Sequence, residues 1–195
     1  AASDVYKRQD KSNPIITDLL VGENNQNLIY YNKSDSLTLY WGHSDSLSGI
    51  KEVYFGLGSE SNITDIVDWT SSDGNNVVGL GGLNLINESI YYGGVFVRDS
   101  AGNYSDTIWN SGITIDTQIP DTGLINDGNW IIELDYTLDS TKLVYTYNGF
   151  SDNIDISHYE IAVGTNNDTT NTLDWVITDS IGQTTLSGFD LDRDI

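Results

Sequence analysis

Ser89-Ile-Tyr-Tyr-Gly-Gly-Val-Phe-Val-Arg-Asp-Ser-Ala-Gly-Asn103 is the stretch on which the fold turns. From Tyr91 the odd positions Tyr91, Val95 and Val97 form one apolar face, with Gly93 leaving a gap in it. A period of two marks a strand with one buried side. Asp99-Ser-Ala-Gly-Asn103 then supplies residues that tolerate a left-handed backbone, so the strand ends in a tight turn. The spacing predicts the central strand of a β-sandwich.

Other stretches alternate in the same way. Ser36–Trp41 places Leu37, Leu39 and Trp41 on one face, and Ile50–Gly58 places Val53, Phe55 and Leu57 inward. Pro14–Leu20, Asp65–Thr70, Asn76–Leu83 and Trp109–Ile115 read as the remaining strands. Strands at this spacing, with no long helical period, predict an all-β fold.

Residues Ile50–Ser89 align without gaps on Ile156–Ile195, at an offset of 106. Gly58 falls on Gly164, Asp68-Trp69 on Asp174-Trp175, Leu80 on Leu186, Gly82 on Gly188 and Leu85 on Leu191. Pro14 falls on Pro120 at the same offset. The chain therefore reads as residues 13–117, one complete seven-stranded unit, and residues 118–195, a second unit lacking its last two strands. Pro120 keeps the joint between them extended. Residues 1–12 read as a tail. Within it, Asp4-Val-Tyr-Lys-Arg-Gln9 is similar to the in-frame translation of a sequencing-library adapter. That resemblance implies that residues 1–9 are an assembly artefact and that the chain is a fragment of metagenomic origin.

Unit 1 resembles the fibronectin type III and bacterial Ig-like modules. Trp41 stands where that family has its strand B tryptophan, and Leu85 and Tyr91 have the spacing of its tyrosine corner. Asp99-Ser-Ala-Gly-Asn103 and Asp116-Thr-Gln-Ile-Pro120 are similar to signatures of tandem repeats in large secreted bacterial surface proteins. Gly93-Gly94 departs from the bulky pair usual at that place and is expected to let another chain or a ligand approach closely. The resemblance implies tandem β-sandwiches in a secreted or cell-surface protein.

The net charge of −21, with 23 Asp and 6 Glu, argues against nucleic acid and anionic membrane surfaces as partners. No apolar run is long enough to enter a membrane. There is no Cys, hence no disulfide or thiol chemistry. The two histidines, His43 and His158, sit in no nucleophile or metal motif, and no catalytic residue is assigned. No cofactor is required by this reading. Calcium is the candidate ion, with Asp99, Asn103 and Asp116 as ligands joined by a turn residue of the next unit, such as Asp152 or Asp155. The bland alternative is that such Asp and Asn cap their own turns. Tyr54, Tyr92 and Phe96 point away from the core by alternation and form a candidate binding face for a glycan or a cell-surface protein. The alternative is that Ile63–Trp69 covers them. Trp69 and Trp175, at one position of both units, are expected to serve the core or to anchor a strand.

The function expected is non-catalytic: a spacer or adhesion module whose standing partners are neighbouring domains of its own polypeptide. The alternatives are an accessory module of a secreted enzyme such as a glycoside hydrolase, and an extracellular filament subunit completed by strand exchange.

Overall fold

The computed structural model describes residues 10–129, 132–133, 137–166, 170, 172–178, 182–188 and 190–191. The adapter-like residues 1–9 lie outside them. Among the described residues every regular element is a strand, and no helix is long and apolar enough to cross a membrane. The chain divides into two compact units, Ala1–Thr117 and Gln118–Ile195.

Unit 1 holds β1 (Ile15–Gly22), β2 (Tyr30–Tyr31), β3 (Ser36–Ser44), β4 (Ile50–Gly58), β5 (Val67–Ser71), β6 (Val77–Gly81), β7 (Ile90–Asp99), β8 (Ile108–Trp109) and β9 (Ile113–Ile115). One sheet has the order β1-β3-β6, and the other β2-β9-β7-β4-β5, with β8 also beside β7. Pairing is antiparallel except between β2 and β9. The two inner faces share one core. Val21, Leu37, Leu39 and Trp41 come from the first sheet, and Val53, Phe55, Leu57, Tyr91, Val95, Val97, Ile113 and Ile115 from the second. Trp41 stacks on Phe55 across the gap, ring centroids 6.1 Å apart. This is an Ig-like β-sandwich, two sheets packed face to face over one core. The alternation of β3, β4 and β7 puts the expected residues inside, because a one-residue slip would turn each of these faces to water.

Leu85 and Tyr91 are both buried, and the Tyr91 hydroxyl oxygen accepts the Ile86 N–H at 3.0 Å. That bond ties the incoming loop to the start of β7, as a tyrosine corner does. The expected strand Trp109–Ile115 is instead two short strands, β8 and β9, broken where Gly112 takes a φ of +97°. The parallel pair β2–β9 was not anticipated, since two residues carry no period.

Residues Asp10 and Ser12, read from sequence as tail, are tied onto unit 1. The Asp10 carboxylate accepts the Ser48 N–H at 3.1 Å, and Asn103 Nδ2 donates to the Ser12 carbonyl at 3.2 Å. The chain enters at the end of the sandwich where Ile15 pairs with Ser44 and Ile50 with Asp99. It leaves past Ile115, at the opposite end, where Thr114 pairs with Ile90. β7 spans the distance between these poles with ten residues, roughly 30 Å.

Unit 2 holds β10 (Leu124–Asn129), β11 (Ile132–Glu133), β12 (Lys142–Asn148), β13 (Tyr159–Val163), β14 (Leu173–Thr178) and β15 (Gly182–Ser187), paired as β11-β10-β12-β15 and β13-β14. Its registers reproduce those of unit 1 at the offset of 106 seen in the sequence. Leu19↔Trp41 becomes Ile125↔Tyr147, Leu37↔Leu80 becomes Leu143↔Leu186, and Phe55↔Thr70 becomes Ile161↔Val176. The irregularity in β4–β5 recurs in β13–β14. The buried cluster is small: Tyr145, Tyr147 and Ile161, with Leu143, Phe150, Tyr159, Val176 and Leu186 against it.

Candidate functional site

Two groups of side chains in unit 1 bear on function: an acidic pole and an outer aromatic face. The pole gathers three segments, Asp10–Ser12, Asp45–Gly49 and Asp99–Asn103. Asp99 ends β7 and is wholly inaccessible. One carboxylate oxygen accepts the N–H groups of Gly102 at 2.6 Å and Asn103 at 2.7 Å, and the other accepts Asn103 Nδ2 at 2.7 Å. Asp45 does the same for its own loop, accepting the N–H groups of Leu47, Ser48 and Gly49 at 3.1, 2.8 and 2.7 Å. The Ser100 N–H donates to the Gly49 carbonyl and joins the two loops.

Burial pushes the Asp99 carboxyl up, but the bonds from Asn103 and Gly102 outweigh it and hold it below the usual carboxylate range. Burial likewise raises Asp45. The N–H groups of Gly49, Leu47 and Ser48 overcome that, and the nearby Asp99 charge opposes them. Oxygens of Asp10, Asp45 and Asp99 lie within 4.8 Å of one another. Of the residues named from sequence, Asp99 and Asn103 are brought together here, but as partners of each other. Asp116 is not with them. It follows β9 at the opposite pole, where its N–H donates to the Tyr31 carbonyl at 2.8 Å. Asp152 and Asp155 belong to unit 2. Asp10 and Asp45 were missed. The run Asp45-Ser-Leu-Ser-Gly49 carries a turn signal, whereas nothing near Asp10 marks it, because its neighbours come from distant parts of the chain.

The aromatic face covers the outside of β8-β7-β4-β5. Tyr54 on β4 and Phe96 on β7 are opposite each other and stack at 4.8 Å. Trp69 on β5 meets Phe96 edge-on at 4.9 Å and Trp109 on β8 at 5.7 Å. Trp69 reaches that far because Gly56 and Gly94, a cross-strand pair, leave a floor without side chains. A Cβ on Gly94 would stand 2.9 Å from three atoms of the Trp109 ring, and one on Gly56 3.3 Å from Trp69. Gly93 faces inward, where a Cβ would meet Leu39 at 2.8 Å. The close approach expected at Gly93-Gly94 is therefore made by the protein's own Leu39 and Trp109, not by a ligand or another chain.

Tyr104 adds a ring 6.2 Å from Phe96 and is 51% exposed. The Arg98 guanidinium lies over it at 5.6 Å and pairs with Glu52 at 3.3 Å. Glu52 also accepts the Tyr54 hydroxyl at 3.1 Å. Tyr92 stands apart from Tyr54 and Phe96, beside Gly112. Tyr54 and Phe96 are half-buried, and Trp69 packs against Phe96, so much of the face is spent on its own stacking. Of the two roles expected for Trp69 and Trp175, the core one is corrected for both, while the packing of Trp69 on Phe96 and Trp109 is that of a strand anchor. Trp69 sits on the outer face and is only half-buried, and Trp175 is 61% exposed.

No family model matches the chain, and no curated protein matches it. Among solved structures, the crystal structure of the FN1–FN3 domains of chicken CNTN1 is similar, with a TM-score of 0.44 and 13% sequence identity. The match covers 83% of this chain and 55% of that one, so the chain spans about half the length of that structure. The sandwich assignment stands on the strand order and the shared core of unit 1.

Proposed function

We propose that the chain is a non-catalytic structural module, spacing or presenting neighbouring domains in a secreted or cell-surface protein. The observation that carries this reading is the path of the chain through unit 1. It enters beside Asp99 and Ser44 and leaves past Ile115, at the opposite end of β7. A module with its two chain ends at opposite poles extends an array by its own length. The tie of Asp10–Ser12 to Asn103 and the Tyr91–Ile86 bond close the two poles. The surplus of negative charge supports the same role, since like charges along an array keep it soluble and extended.

Pulling the full chain by its ends tests the reading. A spacer resists, and unit 1 opens in one discrete step. Asp10–Thr117, at about 3.4 Å per residue, then releases roughly 330 Å beyond its folded length. Gradual lengthening without a step would remove the basis for a spacer that resists extension. The role requires no cofactor. Calcium is not part of this proposal, because both Asp99 oxygens and Asp45 Oδ2 already accept N–H groups, which leaves Asp45 Oδ1 as the buried oxygen without a partner. The melting midpoint of unit 1 is expected to be the same in millimolar Ca²⁺ and in chelator. A raised midpoint would assign an ion to Asp10, Asp45 and Asp99.

A further inference from the structure

The edge of a sheet offers unpaired main-chain groups to any other strand, and proteins guard it with charge, irregularity or brevity. Among the described residues, the edge strands of this chain are guarded in these ways except at one place in each unit. β1 carries Asp18 and a shift in its register with β3, and β5 carries Asp68 and a shift against β4. β2 and β11 have two residues each. β13 and β14 carry Glu160 and Asp174. β6, at the free edge of β1-β3-β6, has none of these devices: Val77-Val-Gly-Leu-Gly81 is uncharged and pairs with β3 without a shift. Its counterpart β15, at the edge of its own sheet, matches it in both respects. The longest run of the chain without a charge lies between Asp73 and Glu88. The second longest, between Asp179 and Asp190, begins at the same place of the repeat.

The Asn76 carbonyl accepts the Trp41 N–H at 3.0 Å. An antiparallel ladder alternates its bonding. Val78 and Leu80 therefore bond towards β3, and the main-chain groups of Val77, Gly79 and Gly81 lie at the free edge. All three residues are exposed. A Cβ on Gly79 or Gly81 would meet nothing within 4 Å. Glycine weakens a strand, and at an edge it leaves room for another backbone.

We propose that the β6 edge pairs antiparallel with the β6 edge of a second copy of this chain, about a two-fold axis through Gly79. In that register Gly79 faces Gly79 of the second copy and Val77 faces its Gly81, each pair exchanging two main-chain hydrogen bonds. The exposed valine then covers the place where the glycine has no side chain. The edge is thus complementary to itself, as two-fold pairing requires. Its lack of charge fits a copy better than any basic partner. Copies with a net charge of −21 repel one another and can meet only where charge is absent, whereas a basic segment is drawn to the acidic surface elsewhere. A five-residue edge makes a weak, reversible contact, which strengthens as salt screens the rest of the surface. The proposal does not rest on the spacer reading, and the pulling experiment leaves it untouched.

The test is sedimentation equilibrium of the full chain from roughly 10 μM to 1 mM, in about 50 and 500 mM NaCl, with residue-resolved hydrogen exchange alongside. The expected result is a reversible dimer whose association constant is about tenfold greater at the higher salt. Exchange at Val77, Gly79 and Gly81 slows as concentration rises, while β1 is unchanged. Gly79→Glu and Gly79→Lys each set like charges opposite one another and should weaken association about tenfold. Mixing the two variants should restore it, because opposite charges then face each other, and that restoration rules out misfolding as the cause of the loss. A monomer throughout, at both salts, overturns the pairing of copies. A dimer whose β6 exchange is unchanged overturns this edge as its site. A mixture that associates no better than either variant alone overturns the two-fold register through Gly79.

Discussion

Unit 1 and unit 2 carry the same strand registers at an offset of 106 residues, yet they close their cores to different degrees. Leu37 is 1% exposed in unit 1, whereas Leu143 at the matching position packs only at the margin of its cluster. Trp69 meets two other rings edge-on, while Trp175 faces solvent. The difference lies in β7–β9, which in unit 1 supply Tyr91, Val95, Val97, Ile113 and Ile115 to the core. A pair of sheets is sealed by the strand at its centre, and alternating patterns on the flanking strands do not substitute for it.

The largest expected effect comes from truncating the matched leucines. Leu37→Ala should cost unit 1 about 3 kcal/mol, and Leu143→Ala should cost unit 2 about 1 kcal/mol, because a cavity is expensive only where the surroundings are closed. Denaturant titration followed by residue-resolved exchange reads each unit separately. Equal losses would mean that the two cores are equally sealed, and the contrast would fail.

Next come the matched tryptophans. Trp69→Ala removes two edge-on ring contacts and should destabilise unit 1 by about 2 kcal/mol. Trp175→Ala should stay within about 0.5 kcal/mol. A large loss at Trp175 would show that it is covered in solution. Tyr91→Phe leaves the Ile86 N–H without its acceptor and should cost about 1 kcal/mol. An unchanged unfolding midpoint would remove the hydroxyl bond from what holds β7 in place.

The smallest effect is on acid stability. Glu23, Asp45, Glu52, Asp65 and Asp99 of unit 1 are all held below the usual carboxylate range, against Asp139 alone among the described residues of unit 2. A lowered folded-state value means that the stabilisation is complete above the unfolded-state pKa, near 4 on the reference scale. It is lost as pH falls through the lowered value. Unit 1 should therefore lose more of its melting midpoint than unit 2 between about pH 5 and pH 2. Asp99→Asn should flatten that acid limb. Parallel limbs in the two units would contradict the pole geometry.

Strand faces were legible wherever the alternation was long. Leu37–Leu39–Trp41, Val53–Phe55–Leu57 and Tyr91–Val95–Val97 lie inside as their spacing required. Tyr54 and Phe96 face outward on neighbouring strands for the same reason. Short elements were not legible: β2, β8 and β9 have two or three residues each, too few to show a period. The acidic residues were half legible. Asp99 and Asn103 are close in sequence, so their turn could be read. Asp10 and Asp45 reach the same pole from 89 and 54 positions upstream of Asp99, and Asp116, the residue chosen in their stead, lies at the other end of a ten-residue strand.

The order of residues alone determined the strand faces, the duplication and the acidic surface, because each is a local or self-comparing property of the chain. Only the tertiary structure decided what meets across the sheets. Gly94 is read as an opening until Trp109 is seen lying over it, and the acidic residues form a pole only once three distant loops converge. The physical reason is that strand pairing joins residues far apart in the chain, and the pattern along one strand carries no record of which side chain will cover it.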